Sequence, residues 1–250
     1  MNIIKEGEIM NIVDAIIILL ILACGVAGFK RGVLKQTVST VGFIIVVILA
    51  FYLKNPIAEF LSLHLPFFTF GGSFANITSI NIILYQLISF ILVIMLLEVI
   101  LNILIKVTGV IEKILKFTVI LGIPSKILGF VVGIVEGFVI TFLILFFLRQ
   151  PGFNLGIFNG SKLTDPILNS TPVLSNVAGG FVDTFNDLYE LGNDYYDQKL
   201  DENTLNLKSI DVMLEHKIIT TDYVIKLVDA NKIKVTGIDN IINKYRKEQL

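Results

Sequence analysis

Four long apolar runs, each closed by a short charged or glycine-containing break, fill the first 150 residues. The first extends from about Ile12 to Phe29 and stops at Lys30-Arg31; the second extends from about Thr37 to Leu53 and stops at Lys54-Asn55-Pro56. The third, about Ile80 to Ile105, carries polar Gln86, Glu98 and Asn102. The fourth runs from about Ile127 to Leu148, after a Gly122–Lys126 break that holds Pro124. About 20 apolar residues suffice to cross a bilayer as a helix, and inside lipid an isolated segment pairs its backbone only as a helix. The pattern predicts an all-α integral membrane protein: four transmembrane helices, interfacial helices and a small C-terminal helical extramembrane region.

The segments between and after the runs differ in kind. Ile57–Phe70 is apolar but contains Glu59, His64 and Pro66, and reads as an interfacial or re-entrant segment. Val110–Leu121 sets Glu112, Lys113 and Lys116 on one side and apolar residues on the other, as a helix lying on the membrane surface would. Gln150–Pro172 is rich in Gly and Pro and reads as a linker. Beyond it Asp183, Asp187, Glu190, Asp194, Asp197 and Asp201 recur at helical spacing opposite Phe181, Phe185, Leu188 and Tyr195. The last fifty residues read as three short helices, with Ser209, Thr221 and Thr236 as N-caps. The expected division is an N-terminal extension 1–9, a membrane domain 10–150, a linker 151–172 and a polar helical region 173–250. Met10, preceded by a stretch that an AAGGAG-type ribosome-binding sequence can encode, is the expected initiator.

Composition sharpens this picture. Hydrophobic residues make up 54% and charged residues 16%, against roughly 25% charged in soluble domains. Mean hydropathy is +0.81. No basic patch follows a phosphate backbone, so no nucleic-acid partner is expected. Cys24 is the only cysteine, which excludes an intramolecular disulfide and a cysteine metal site. It stands in a sequence faintly like a lipoprotein cleavage site, but Lys30-Arg31 follow that site, where a signal peptide has its charge in front. His64 and His216 lie in different regions, and no catalytic or metal constellation assembles around them. Gly156–Lys162 has the wrong order for a phosphate loop and no preceding strand. The chain is therefore expected to be no enzyme and to need no cofactor or metal. Lys30, Arg31, Lys35, Lys106, Lys113, Lys116 and Lys126 share one side of the membrane, and the positive-inside rule places that side in the cytoplasm and both termini outside.

Ionisable groups within spans are the candidates for chemistry, because each costs about 2.5–3.5 kcal/mol at mid-bilayer on insertion scales. Glu136 falls near the centre of the fourth run, and Glu98, Asn102 and Lys106 form an i, i+4, i+8 stripe on the third. Two readings are open: interhelical hydrogen bonding, or a proton or cation relay. Gly129, Gly133 and Gly137 share a face of the fourth helix, where small residues allow close helix packing. The Glu98/Asn102 stripe is the expected neighbour of Glu136. Gly133→Leu is expected to disrupt the bundle, and Leu145→Ala to do much less. Partners are expected to be the lipid bilayer and further membrane helices, from a homo-oligomer or from other membrane proteins.

Asp14 before the first run, Gly28-Phe29-Lys30-Arg31-Gly32 closing it, Lys126-Ile127-Leu128-Gly129, then Gly133 and Gly137, and Asn169–Pro172 after the last span together resemble the colicin V production (CvpA) family of bacterial inner-membrane proteins. The resemblance implies a multi-pass protein linked to toxin production or export and to envelope function. Its role would be that of an accessory or scaffold factor; the other reading is a small homo-oligomeric channel or proton-coupled transporter using Glu98 and Glu136.

Overall fold

The computed structural model describes residues 11–107, 110–149, 157–158, 160–169 and 172–248, with side-chain surroundings left aside over 110–121 and 172–179 and at 248. The expected extension 1–9 and Met10 lie outside the described residues, as do 151–156 and a few further positions of the expected linker, whose described part is not irregular throughout, because Thr164–Asn169 is helical. Among the described residues the secondary structure is helical: α1 Ile12–Arg31, α2 Val33–His64, α3 Ile80–Val107, α4 Val110–Leu148, α5 Thr164–Asn169, α6 Pro172–Tyr196, α7 Glu202–Glu215, α8 Thr221–Asp229 and α9 Ile238–Glu248, with a short 3₁₀ turn at Gly72–Phe74. Four stretches are long and apolar enough to cross a membrane: α1, α2, α3 and Gly122–Leu148 within α4. Gly122 breaks α4 because its φ of 52° and ψ of −132° lie outside the helical region. The backbone over Val110–Leu121 is helical; the amphipathic side-chain pattern expected there lies outside the described residues.

Contacts divide the chain into two compact units. The first joins α1, the start of α2, α4 and the segment around α5. The second joins most of α2, most of α3 and the helices from α6 onward. The sequence boundaries at 10–150 and 173–250 follow composition instead, and contacts between distant segments are invisible to composition.

Within the second unit two expectations change. Ile57–Phe70 is not an interfacial or re-entrant segment throughout, because α2 continues through Pro56 to His64. Ala58 and Ser62 are wholly buried there. Ser62 hydrogen-bonds Tyr223 of α8, and Lys226 Nζ lies 2.5 Å from Glu59 Oε1. Protein contacts therefore hold the last turns of α2 helical. The opening turns of α3 are also covered: Ile82, Ile83, Tyr85 and Gln86 are at most 2% exposed. Their cover includes α7, where Ser79 Oγ donates to Ser209 Oγ at 2.7 Å. The apolar core of this unit includes Ile77, Tyr85, Leu188, Leu205, Ile210, Met213 and Leu227. Lipid-type exposure on α3 begins at Ile91, so the apolar run that reads as one span is part protein core.

The helix starts of this unit also differ from expectation. Asp201, not Ser209, caps α7 by accepting the Thr204 backbone N–H, and Ser209 lies buried in mid-helix. Thr220 rather than Thr221 caps α8. Thr236 spends its N–H on the side-chain oxygen of Asn203. A hydroxyl beside an apolar stripe marks a cap only when the preceding turn is not already helical, and Leu205 and Asn206 extend the α7 pattern upstream.

Candidate functional site

The first unit is organised by glycine. On α4, Gly129, Gly133 and Gly137 repeat every four residues, and Gly25, Gly28 and Gly32 stand on and just after α1. A Cβ built at Gly129 would lie 2.5 Å from the Gly28 carbonyl oxygen and 2.8 Å from the Gly32 carbonyl carbon. One at Gly133 would overlap the Cys24 carbonyl oxygen, and one at Gly137 would lie 2.9 Å from Cys24 Cβ and 3.0 Å from Ile21 Cα. Most of the obstructing atoms are backbone and have nowhere to go. The register 28 with 129, 24 with 133 and 21 with 137 makes α1 and α4 antiparallel. Lipid supplies no hydrophobic drive between helices, so such backbone approach is what holds them together.

One turn away lies a polar core. Gly32, at φ 77°, turns the chain from α1 directly into α2, and the Val33 N–H donates to Ser125 Oγ of α4 at 3.3 Å. This connection sets Gln36 and Thr40 of α2 against Glu136. Gln36 Nε2 donates to Glu136 Oε2, and Thr40 Oγ1 donates to the same oxygen at 2.9 Å. The other end of the Gln36 amide accepts from Arg31 Nη1 at 3.3 Å. Arg31 also reaches Ser39 Oγ, at 3.4 Å. Gln36 and Thr40 are buried. A guanidinium at the end of α1 is thus linked through one amide to a carboxylate on α4. Each bond polarises the next and strengthens it in a medium of low dielectric.

Asp14, at the opposite end of α1, is buried and accepts three hydrogen bonds: from Ser161 Oγ at 2.5 Å, from the Lys162 N–H at 3.0 Å and from the Leu163 N–H at 3.2 Å. The end of the stretch whose order is wrong for a phosphate loop does present backbone N–H groups to an anion, and that anion is the chain's own aspartate. It fastens the turn before α5 to the start of α1.

The remaining expected residue pair lies in the second unit. Asn102 Nδ2 donates to the Glu98 carbonyl of its own helix at 2.8 Å. Glu136 takes hydrogen bonds from Gln36 and Thr40 of α2. Gln36 and Thr40, one helical turn apart, provide donors that reading α2 as a plain apolar run overlooks. Lys54 escapes the same reading. Taken from sequence as the charge that stops the second span, it is 6% exposed and donates to Asn55 Oδ1 at 2.9 Å and Gln86 Oε1 at 2.6 Å, beside the Phe51 ring. The one sequence signal for this pairing is polar Gln86 inside the third apolar run.

Comparison with curated proteins finds no match, and comparison with solved structures finds none either. The family described as colicin V production protein matches residues 13–172. That stretch holds Asp14 and its turn, the glycine seam and the Arg31–Gln36–Glu136 core, and it leaves most of α6 and all of α7–α9 outside. With more than half of its length matched, over a stretch that includes most of its first unit together with α2 and α3, this membrane protein belongs to the colicin V production protein family.

Proposed function

We propose that the protein is a non-enzymatic accessory or scaffold factor of the bacterial cytoplasmic membrane, serving toxin production or export or the upkeep of the envelope, with both termini outside. The observation that carries this reading is the engagement of Glu136 by Gln36 and Thr40 within one chain. A carboxylate on α4 whose donors come from α2, a helix tied to α4 by the Val33 N–H to Ser125 Oγ bond, acts as a packing group. Gln36 and Thr40 are buried and must find acceptors, and Glu136 supplies one to both, which favours one arrangement of α2 and α4. The orientation rests on the lysines and arginines gathered at the α1–α2 and α3–α4 connections.

The test is proton flux into proteoliposomes that hold a pH-sensitive dye. Wild type and Glu136→Gln should both match protein-free vesicles. Flux carried by the wild type and lost in Glu136→Gln would overturn the reading in favour of a channel or proton-coupled transporter.

A further inference from the structure

Beside the glycine seam, Val26 and Phe29 of α1 and Ile127 and Phe130 of α4 line a groove of about 400 Å³. Its walls are apolar side chains alone. Its floor follows from the seam, because the Phe130 ring lies across Gly25, 2.8 Å from where a Cβ would stand. The groove sits where α1 ends in Phe29-Lys30-Arg31 and where the apolar part of α4 begins at Lys126-Ile127. That is the level at which hydrocarbon gives way to headgroups. At its lip the exposed Lys126 ammonium lies over the Phe29 ring, 6.0 Å from the centroid. The ring face attracts the cation and holds it above the groove.

We propose that this groove seats an acyl chain of an anionic phospholipid whose phosphate is bound by Lys126. An apolar trough with a cation at its rim at headgroup depth matches a molecule that is hydrocarbon at one end and anionic at the other. One lysine near the surface is worth about 1 kcal/mol toward anionic lipid, which is about a fivefold preference.

The chain contains no Trp, so Phe29→Trp supplies a single fluorescent reporter and keeps an aromatic face under Lys126. The protein is reconstituted into phosphatidylcholine bilayers containing an equal mole fraction of tail-brominated phosphatidylglycerol or tail-brominated phosphatidylcholine. The indole introduced by Phe29→Trp should be quenched by both, with up to about fivefold preference for the anionic lipid. Adding Lys126→Gln should abolish that preference. An Ile103→Trp reporter, on a lipid-exposed position of α3, should show none. Ile127→Trp, on the opposite wall, should repeat the Phe29→Trp result. Equal quenching by the two headgroups, or a preference that survives Lys126→Gln, overturns the seat. So does absence of quenching at both wall reporters, which would mean that protein covers the groove.

Discussion

At Asp14 and Tyr223, both buried, and at half-buried Glu136 a polar side chain is held by bonds to groups distant in sequence. The types of residue are visible in the sequence, but their partners are not. Glu136 stands out because a carboxylate among aliphatic residues is conspicuous; Gln36 and Thr40 do not, because uncharged polar residues near a span boundary are common. Asp14 accepts two backbone N–H groups and a hydroxyl, and hydrogen bonds to a charged acceptor are worth about 1.5–3 kcal/mol each. Asp14→Asn should therefore loosen the turn before α5. Tryptic cleavage after the exposed Lys162 should become roughly tenfold faster for each 1.4 kcal/mol or so lost. Unchanged cleavage would show that the carboxylate does not fasten that turn.

Tyr223 supports a pH prediction. Burial pushes its phenol up to about 12, although the Ser62 contact pulls the other way. The unfolded chain loses that proton near pH 10, while the folded chain keeps it until about 12. The stabilisation is complete below about pH 10 and is lost as pH rises from there through about 12. A shift of that size corresponds to about 2–3 kcal/mol. Burial also raises the Tyr245 phenol, so tyrosinate absorbance during an alkaline titration in detergent should show late ionisation that accompanies unfolding, to which Tyr223 contributes. Tyr223→Phe should reduce that late amplitude by one phenol, and an undiminished amplitude in the variant would refute the assignment.

Among the elements, the α1–α4 pair is the most legible in sequence. A four-residue glycine repeat on an apolar helix means close approach to something, and the structure identifies that something as the backbone of α1. Gly133→Leu would drive a branched side chain into the Cys24 carbonyl and should cost about 3 kcal/mol or more. Leu145→Ala is not the mild control expected from sequence, because Leu145 is 3% exposed; its loss leaves a cavity costing about 2 kcal/mol or more. Ile144, at 44% exposed, is the proper control, and Ile144→Ala should change stability by about 0.5 kcal/mol at most. Melting temperatures in a single detergent should fall in the order Ile144→Ala, Leu145→Ala, Gly133→Leu. A Gly133→Leu variant that melts with the parent would dismiss the seam. The end of α2 and the start of α3 are the least legible elements. Hydropathy counts apolar residues and cannot tell burial by lipid from burial by α7 and α8.

For the whole molecule, two separate sets of contacts agree with four crossings. In the first unit α1 and α4 are antiparallel, and Asp14 at the start of one meets the chain just after the other. In the second unit the tail helices meet the connection between α2 and α3, where Ser73 bonds Asn193 and Thr78 bonds Asn206. The first set puts the chain after α4 beside the start of α1, and the second puts the tail helices beside the α2–α3 connection. The count of spans is legible as soon as the apolar runs are measured. The return of the tail onto the α2–α3 connection is not, because its polar contacts carry no periodicity.

A chain that crosses the membrane four times and brings its tail back to the α2–α3 connection has a definite pattern of access from outside. Labelling with a membrane-impermeant maleimide reads that pattern in a Cys24→Ala background, with cysteine placed singly at Phe68, Lys247, Lys35 or Lys126, in intact cells and again after lysis. Positions 68 and 247 should label in intact cells, while 35 and 126 should label only once the membrane is opened. Labelling of 68 and 247 from opposite sides would contradict the four crossings and the returning tail together.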